Sequence, residues 1–399
     1  MSAELLITAD DMTGALDTGV QLAKQGILSS VIADPESDPD WAKTDAEVLI
    51  VHTSSRHLSL LQAYEKVYRI VSEAVQADIP YIYKKTDSAL RGNIGAELSA
   101  ALHASGADCL SFLPAYPAMN RTVRNGILLI DGIPVSDSIF GKDPYNPVLT
   151  SRIAGIIHGQ TSLAVRMMDE TDGTGIILAD AETDEDLKTA GLRMKQKKML
   201  RVSAGCAGFA AYLPELLELK RGMTPEIPDP GDRLLVISGS LNPVTLKQLD
   251  NAEENGFARI RLNDDQKLNA RHADLPDISG RWTVLDSSDA IEQDAFTAAE
   301  KRDELRNVIA GNLGMLAARI SEAYQGTIMI IGGDTLAACL KQMECTHLKI
   351  IAEVFPGVVL SEMLAKGRTR LLLSKSGGFG AQTLPVDLKK WMEDKHREI

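Results

Sequence analysis

Short apolar runs, each broken by polar or glycine-containing residues and then followed by helical periodicity, recur along this chain. Leu5-Leu6-Ile7 ends at Thr8-Ala9-Asp10-Asp11 and resumes as a helix through Val20–Lys24. Val48–Val51 ends in His52-Thr53-Ser54-Ser55-Arg56, ahead of apolar positions at helical spacing over Leu60–Val75. Tyr81–Tyr83 ends in Lys84-Lys85-Thr86-Asp87-Ser88, and Arg91-Gly92-Asn93 precedes a helix over Ile94–Ala104. Cys109–Leu113 runs into Pro114-Ala115-Tyr116-Pro117, and Gly175–Leu178 into Asp180–Thr183 and another helix. Repeated strand–turn–helix units of this spacing predict a parallel, right-handed α/β sheet. Leu128–Val135 reads instead as a short hairpin around Asp131-Gly132, and Ser138–Thr150, with Gly141, Pro144 and Pro147, as a binding loop or lid.

Residues 220–231 hold three prolines and two glycines. That composition continues neither a helix nor a central strand. It divides the chain into a domain over 1–219, a linker over 220–231 and a domain over 232–399. In the second half, Arg233–Ile237 ends in Ser238-Gly239-Ser240, with Asn242 placed as an N-cap and Pro243 at the first helical position. Thr327–Ile331 ends in Gly332-Gly333-Asp334-Thr335 before a helix over 336–343. Thr369–Leu373 ends in Ser374-Lys375-Ser376-Gly377-Gly378-Phe379-Gly380. The expected fold class is α/β, with two domains, each a mainly parallel sheet flanked by helices.

Composition sharpens this in three ways. The 399 residues are 44% hydrophobic but only 5% aromatic, an aliphatic content that suits sheets covered on both faces. The net charge of −13 disfavours nucleic acid and anionic membrane as partners, and an anionic ligand would need a local basic cluster. The four cysteines form no CxxC pair. No basic segment leads into an apolar one at the N-terminus, and no apolar run reaches membrane-spanning length. A soluble, cytoplasmic protein with reduced, mostly buried thiols is expected. A homodimer would be the commonest assembly, although no motif specifies one.

In open α/β sheets, ligands bind where strands end and helices begin. Asp10 and Asp11 stand at such a point, with Thr8 and Thr13 beside them. One Asp could cap the helix, which leaves the other for a polyhydroxy ligand or a cation. Arg56, Lys84, Lys85, Thr86, Asp87, Ser88 and Arg91 fall at neighbouring strand ends, where Arg offers a fork and Lys a point charge for a carboxylate. The glycine-rich turns of the second half expose backbone N–H groups to an anion while removing obstructing Cβ atoms. Ser238, Gly239 and Ser240 are candidates to cradle phosphates, as are Lys375, Gly377, Gly378, Phe379 and Gly380. Gly332, Gly333 and Thr335 would contact a nucleotide, and Asp334 is either an N-cap or a Mg²⁺ ligand. GxxxxGK[ST], GxGxxG and HExxH are all absent at the positions that would matter. His52, His57, His103 and His158 read as packing or surface residues.

Several segments in order resemble the four-carbon acid sugar kinase family, long catalogued as a domain of unknown function. They are Ala9–Ala15, Lys84–Asn93, Phe112–Pro117 with Arg121, Ser238–Ser240, Gly332–Thr335, Phe355-Pro356-Gly357 and Lys375–Gly380. The resemblance implies an acid-sugar-binding N-terminal domain, an ATP-binding C-terminal domain and an active site in the cleft between them. It also implies phosphorylation of the terminal hydroxyl of threonate, erythronate or 3-oxo-tetronate, and it adds Gly357 to the nucleotide contacts. In that frame the substrate carboxylate meets Arg56 and Lys85, with Arg91 near, while Asp11 and Asp87 hold hydroxyls. One of them accepts the proton. Asp11 is favoured over Asp87 because an adjacent carboxylate could raise its pKa. Amides of Gly377, Gly378 and Gly380 stabilise the transferring phosphoryl group, Mg²⁺ neutralises phosphate charge, and closure joins the two ligands.

Two other classes compete. A Mg²⁺-dependent sugar-acid lyase or dehydratase would use Asp10, Asp11 and Asp87 as ligands, but it leaves the glycine turns without a task. A sugar-acid sensor on a periplasmic-binding-like fold would need an export signal or a DNA-binding module.

Overall fold

The computed structural model describes residues 3–34, 41, 46–143, 146–170, 173–222, 225–289 and 299–398. Pro144, Met223 and Thr224, which the sequence placed in a loop and in the linker, lie outside the described residues. The chain divides into two units, Met1–Thr224 and Pro225–Ile399, so the division falls within the proline- and glycine-rich segment.

The first unit begins with β1 (Leu5–Ala9), α1 (Met12–Ala23), β2 (Ser29–Ile32), β3 (Val48–His52), α2 (Leu60–Gln76), β4 (Tyr81–Lys85), α3 (Ile94–Ser105) and β5 (Cys109–Leu113). It continues with β6 (Arg121–Arg124), β7 (Ile127–Ile130), β8 (Ile133–Pro134), α4 (Ile153–His158), β9 (Val165–Met167), β10 (Gly175–Leu178), α5 (Asp184–Gln196), β11 (Val202–Gly205), α6 (Ala207–Ala210) and α7 (Leu213–Leu216). Its main sheet runs β2-β3-β1-β4-β11-β5-β10-β9, with every pairing parallel. Every residue of β1 and β3 is buried, which is why these strands read as unbroken apolar runs rather than alternating ones. Helix α2 starts on a capping box between Ser59 and Gln62 and buries Ala63, Val67, Ile70, Val71 and Ala74 along one stripe.

Strands β6, β7 and β8 form a separate antiparallel sheet. The expected hairpin at Asp131-Gly132 is present. A second turn at Asn125-Gly126, with both φ angles positive, adds β6, which the sequence reading left out. Asn-Gly supplies the two left-handed residues such a turn needs.

The second unit holds β12 (Leu234–Ser238), α8 (Pro243–Glu254), β13 (Ala258–Arg261), α9 (Asp264–Leu268), β14 (Trp282–Asp286), α10 (Ala299–Ser321), β15 (Thr327–Ile331) and α11 (Gly333–Gln342). Then come β16 (Cys345–Phe355), β17 (Val358–Ala365), β18 (Arg368–Lys375) and α12 (Leu384–Glu398). Its strands lie in the order β13-β14-β12-β15-β18-β17-β16. The pairings from β13 to β18 are parallel, whereas β17 is antiparallel to both β18 and β16. This meander went unread because β16 places Thr346, His347 and Lys349 in solvent, breaking the apolar run that marks a buried strand. Leu234, Val236, Met329, Leu360 and Leu373 pack with Leu384, Leu388 and Met392 of α12 in one core.

In each unit the chain leaves two adjacent strands toward opposite edges, β1 and β4 in the first, β12 and β15 in the second. Such switch points leave a crevice at the carboxyl ends of the strands. The predicted acidic turn and the first two glycine turns stand at these two places.

Candidate functional sites

In the first unit the register Ala9↔His52 and Ala9↔Lys85 brings the residues after β1, β3 and β4 to one edge. Arg56 sits among all three acids there. Its Nε donates to Asp10 Oδ2 at 2.6 Å, and its Nη2 lies 3.0 Å from Asp11 Oδ1 and 3.5 Å from Asp87 Oδ1. Arg91 grips Asp87 through Nε and Nη2 and reaches Asp143 Oδ2 through Nη1 at 3.1 Å. Its guanidinium stacks 5.1 Å from the Phe140 ring centroid. Lys85 donates to the Thr86 carbonyl at 2.8 Å, and a Cβ on Gly14 would come within 2.8 Å of its Nζ. Gly14 therefore lets the first turn of α1 meet Lys85. Gly92, at φ +86, does the same for Arg56, whose Cγ would lie 3.1 Å from a Cβ there.

Asp11 is the N-cap of α1, accepting from the Gly14 N–H at 3.0 Å, and Thr13 Oγ1 donates to its other oxygen at 2.7 Å. Asp10 is 3% exposed and has its Oδ1 buried without a hydrogen-bond partner. One Asp caps and the other does not, so the pair has two separate tasks. Burial pushes the Asp11 carboxyl up, but Arg56 and Lys85, with the Thr13 hydroxyl, outweigh it and hold the group at about 2. This corrects the expectation that a neighbouring carboxylate raises it. The neighbour's charge is spent on Arg56. Asp87 is likewise held low, Arg91 and Arg56 overcoming its desolvation. It also accepts from the Ala89 and Arg91 N–H groups. Asp11, with its side chain 23% exposed against 9% for Asp87, is the more accessible of the two.

Lys84 is placed differently from its neighbour. Successive residues of a strand point to opposite faces, and Lys84 is fully buried against α3. Its Nζ lies 2.9 Å from Glu97 Oε2 and donates to the carbonyls of Lys85 and Thr8. Ser55 donates to the other Glu97 oxygen. Burial raises the Glu97 pKa, with Lys84 pulling the other way. Lys84 thus buttresses the site from beneath, where the sequence had assigned it to substrate. Thr86 is buried with its N–H on the Gly205 carbonyl and its hydroxyl unpartnered, and Ser88 is half-buried in the turn. His52 is buried beside Ser54, and desolvation lowers it to about 4, a packing residue as expected. Glu97, Asp143 and Phe140 were missed. Glu97 left a trace as a lone acid in an otherwise small and apolar helix, while Phe140 and Asp143 fall in the Ser138–Thr150 segment read as a binding loop, without being singled out in it.

In the second unit Asp286, Ser238, Ile331 and Lys375 share one register row, which aligns the turns that follow. A Cβ on Gly239 would strike the Thr335 hydroxyl, and one on Gly377 would strike Ser240. Gly357, in the β16–β17 hairpin, lies against Phe379. Ser238 is buried with its hydroxyl unpartnered, and its carbonyl accepts from Ser287. The N-cap of α11 is Gly332, so the N–H groups of Gly333, Asp334 and Thr335 open that helix. Asp334 does not cap. Its half-exposed carboxylate lies 3.5 Å from Arg306 Nε. The Lys375 side chain points inward, to the carbonyls of Ser376, Gly377 and Phe379, not outward as expected of a phosphate contact. Asp286-Ser287-Ser288, at the end of β14, joins this edge and was not foreseen.

Among the described residues, no three His, Cys, Asp or Glu side chains are grouped to hold a metal ion, and no helix is long and apolar enough to cross a membrane. All four cysteines are free thiols.

Known proteins match the chain in both units. The family model for a sugar-binding N-terminal domain matches residues 5–213, and that for a nucleotide-binding C-terminal domain matches 235–384. A D-threonate kinase of Salmonella typhimurium is 30% identical over 98% of this chain and 99% of its own length. A D-erythronate kinase of Heliobacterium modesticaldum is 27% identical over 89% of each. The crystal structure of a Haemophilus influenzae protein superposes with a TM-score of 0.73 over 98% of this chain and the whole of that one; at 20% identity it shares the fold.

Proposed function

Because the chain belongs to the family that joins a sugar-binding N-terminal domain to a nucleotide-binding C-terminal domain, we propose that it is an ATP-dependent kinase of a four-carbon sugar acid. D-Threonate, D-erythronate and 3-oxo-tetronate are the acceptors to test, and the terminal hydroxyl is the site of transfer. The observation that carries this reading is the pairing of two unlike strand-end sites. One is built from carboxylates and guanidinium groups, and the other from backbone N–H groups and small residues.

In this reading Lys85 and Arg56 receive the acid's carboxylate. Asp10, Asp11, Asp87 and Asp143 outnumber Arg56, Lys85 and Arg91, so the substrate must share or displace an existing ion pair rather than enter a bare cationic pocket. Asp11 is the acceptor for the terminal hydroxyl's proton. A carboxylate held at about 2 is a weak base, but the loose transition state of phosphoryl transfer asks for positioning more than for proton abstraction. Asp87, saturated by Arg91 and two backbone N–H groups, holds the two arginines in place.

The N–H groups of Gly333, Gly377, Gly378 and Gly380 receive phosphate oxygens. Asp334 has the half-exposed carboxylate suited to a Mg²⁺ ion held mainly by phosphate oxygens and water, and that ion would neutralise charge on the phosphates. The dehydratase reading fits less well, since Asp10, Asp11 and Asp87 already give oxygens to Arg56 and Arg91.

An ADP-release assay on wild type, Asp11→Asn and Gly378→Ala, over the three acids, tests the proposal. Acid-dependent ADP release by wild type that falls in both variants supports it. Wild-type turnover in both would remove the assigned roles.

A further inference from the structure

The loop after β18 turns the carbonyls of Ser376, Gly377, Phe379, Gly380 and Ala381 toward three buried donors. Lys375 Nζ donates to Ser376 at 2.9 Å, Gly377 at 3.2 Å and Phe379 at 3.0 Å. Gln248 Nε2 shares its two protons among the carbonyls of Phe379 at 3.0 Å, Gly380 at 3.1 Å and Ala381 at 2.9 Å. Thr245 Oγ1 adds a bond to Gly377 at 2.7 Å. Thr245 and Gln248 are three residues apart on the inner face of α8, and both, like Lys375, are buried to within 1% of their surface.

In a planar trans peptide the C=O of one residue and the N–H of the next point in opposite directions. The carbonyls of Ser376, Gly377, Phe379, Gly380 and Ala381 face the three buried donors. The N–H groups of Gly377, Gly378, Gly380, Ala381 and Gln382 therefore face away from them. A concave run of outward N–H groups is an anion-binding nest. An ammonium group has three protons, and the three carbonyls on Lys375 account for them.

We propose that Lys375, Gln248 and Thr245 are positioning residues that hold this loop carbonyl-side in, so that its amide side is presented to the nucleotide phosphates. Lys375 is not itself a phosphate ligand. The inference rests on the reading of the second unit as the nucleotide site and adds how its loop is kept competent. It also explains a lysine at a position where a phosphate contact would need to be exposed and is not.

The test is calorimetric ATP binding by the full chain, as wild type and as Lys375→Met, Lys375→Arg, Gln248→Glu and Thr245→Val, with melting temperature and acid KM measured alongside. Loss of buried donors predicts ATP dissociation constants raised ~10- to 100-fold in Lys375→Met and Gln248→Glu, and ~5-fold in the near-isosteric Thr245→Val. The acid KM should stay within about twofold of wild type, a split that a general loss of structure would not give. Lys375→Arg should fare no better than Lys375→Met, because a planar fork cannot replace a compact three-proton donor in a buried cradle.

Retained ATP affinity in Lys375→Arg, with loss in Lys375→Met, would make Lys375 a direct phosphate contact and overturn the inference. So would wild-type affinity in Gln248→Glu and Thr245→Val. If the larger changes unfold the protein, Thr245→Val decides. Failure of the wild type itself to bind ATP would instead overturn the nucleotide reading beneath.

Discussion

Arg91 holds Asp87 with two parallel hydrogen bonds, Nε to Oδ2 and Nη2 to Oδ1, each 2.9 Å long. Paired forks of this kind fix orientation as well as charge. Asp87 in turn lies 3.5 Å from Arg56 Nη2, so one carboxylate steadies both guanidinium groups of this cluster. Asp87→Asn keeps the shape but removes the charge that Arg91 grips, leaving Arg91 to Asp143 and Arg56 to Asp10 and Asp11. It is expected to lower kcat/KM for the sugar acid ~10²- to 10³-fold while leaving the ATP KM within about twofold. Steady-state kinetics with each substrate varied in turn would check it. An equal rise in both KM values would speak against a role confined to the acid site.

Gly14 leaves no room for a side chain, since a Cβ would crowd both Asp11 and Lys85 Nζ. Gly14→Ala gains intrinsic helix propensity but crowds the Asp11 cap of α1, so the melting temperature is measured alongside. The acid KM is expected to rise ~10-fold or more as Lys85 and Asp11 are pushed apart. Normal acid KM in a folded Gly14→Ala protein would mean these two groups do not act together.

Lys84 and Glu97 form a buried ion pair, at 0% and 1% side-chain exposure. Removing one partner leaves an uncompensated buried charge, at a cost of ~3–5 kcal/mol. Lys84→Met and Glu97→Leu are each expected to lower the urea midpoint sharply, and the double variant Lys84→Met/Glu97→Leu less than their sum. Additive losses would show that the two do not depend on one another.

Asp11 links the site to pH. Its folded pKa, about 2, lies below the ordinary 3.8, so the folded protein binds fewer protons than the unfolded chain in that window. The stabilisation is present above 3.8 and lost as pH falls through 2, and it amounts to about 2 kcal/mol. Wild type should lose stability between pH 4 and pH 2 more steeply than Asp11→Asn, read from urea midpoints by circular dichroism. Parallel profiles would place the Asp11 pKa at its ordinary value. The same ionisation predicts that kcat shows no acid limb from this residue between about pH 5 and pH 8.

Much of the architecture was legible because buried parallel strands announce themselves. β1, β3, β12 and β15 are largely apolar runs, and each ends in a turn to which the proposed function assigns chemistry. The same cue failed for β16, whose edge places His347 and Lys349 in solvent, and for β6, whose evidence lay in the Asn125-Gly126 turn rather than in its own residues. The cluster around Arg56 was legible as a set of residue types at strand ends. What sequence could not give was direction. Lys84 and Lys85 are adjacent and alike, yet the pleat sends one beneath the sheet and the other toward Asp11. Lys375 carried the same ambiguity, since nothing in the order Lys-Ser-Gly-Gly says whether the ammonium meets phosphate or carbonyl. The pKa of Asp11 failed for a related reason. A neighbouring carboxylate was visible in the sequence, whereas Arg56, 45 residues later, was not visibly a partner.

Phosphorus NMR of the product formed from ATP and each of D-threonate, D-erythronate and 3-oxo-tetronate tests the central claim most directly. The account predicts a new phosphomonoester on the terminal oxygen of one of these acids, formed together with ADP and only when ATP is supplied. Conversion of an acid without ATP, or no phosphomonoester from any of the three, would contradict it.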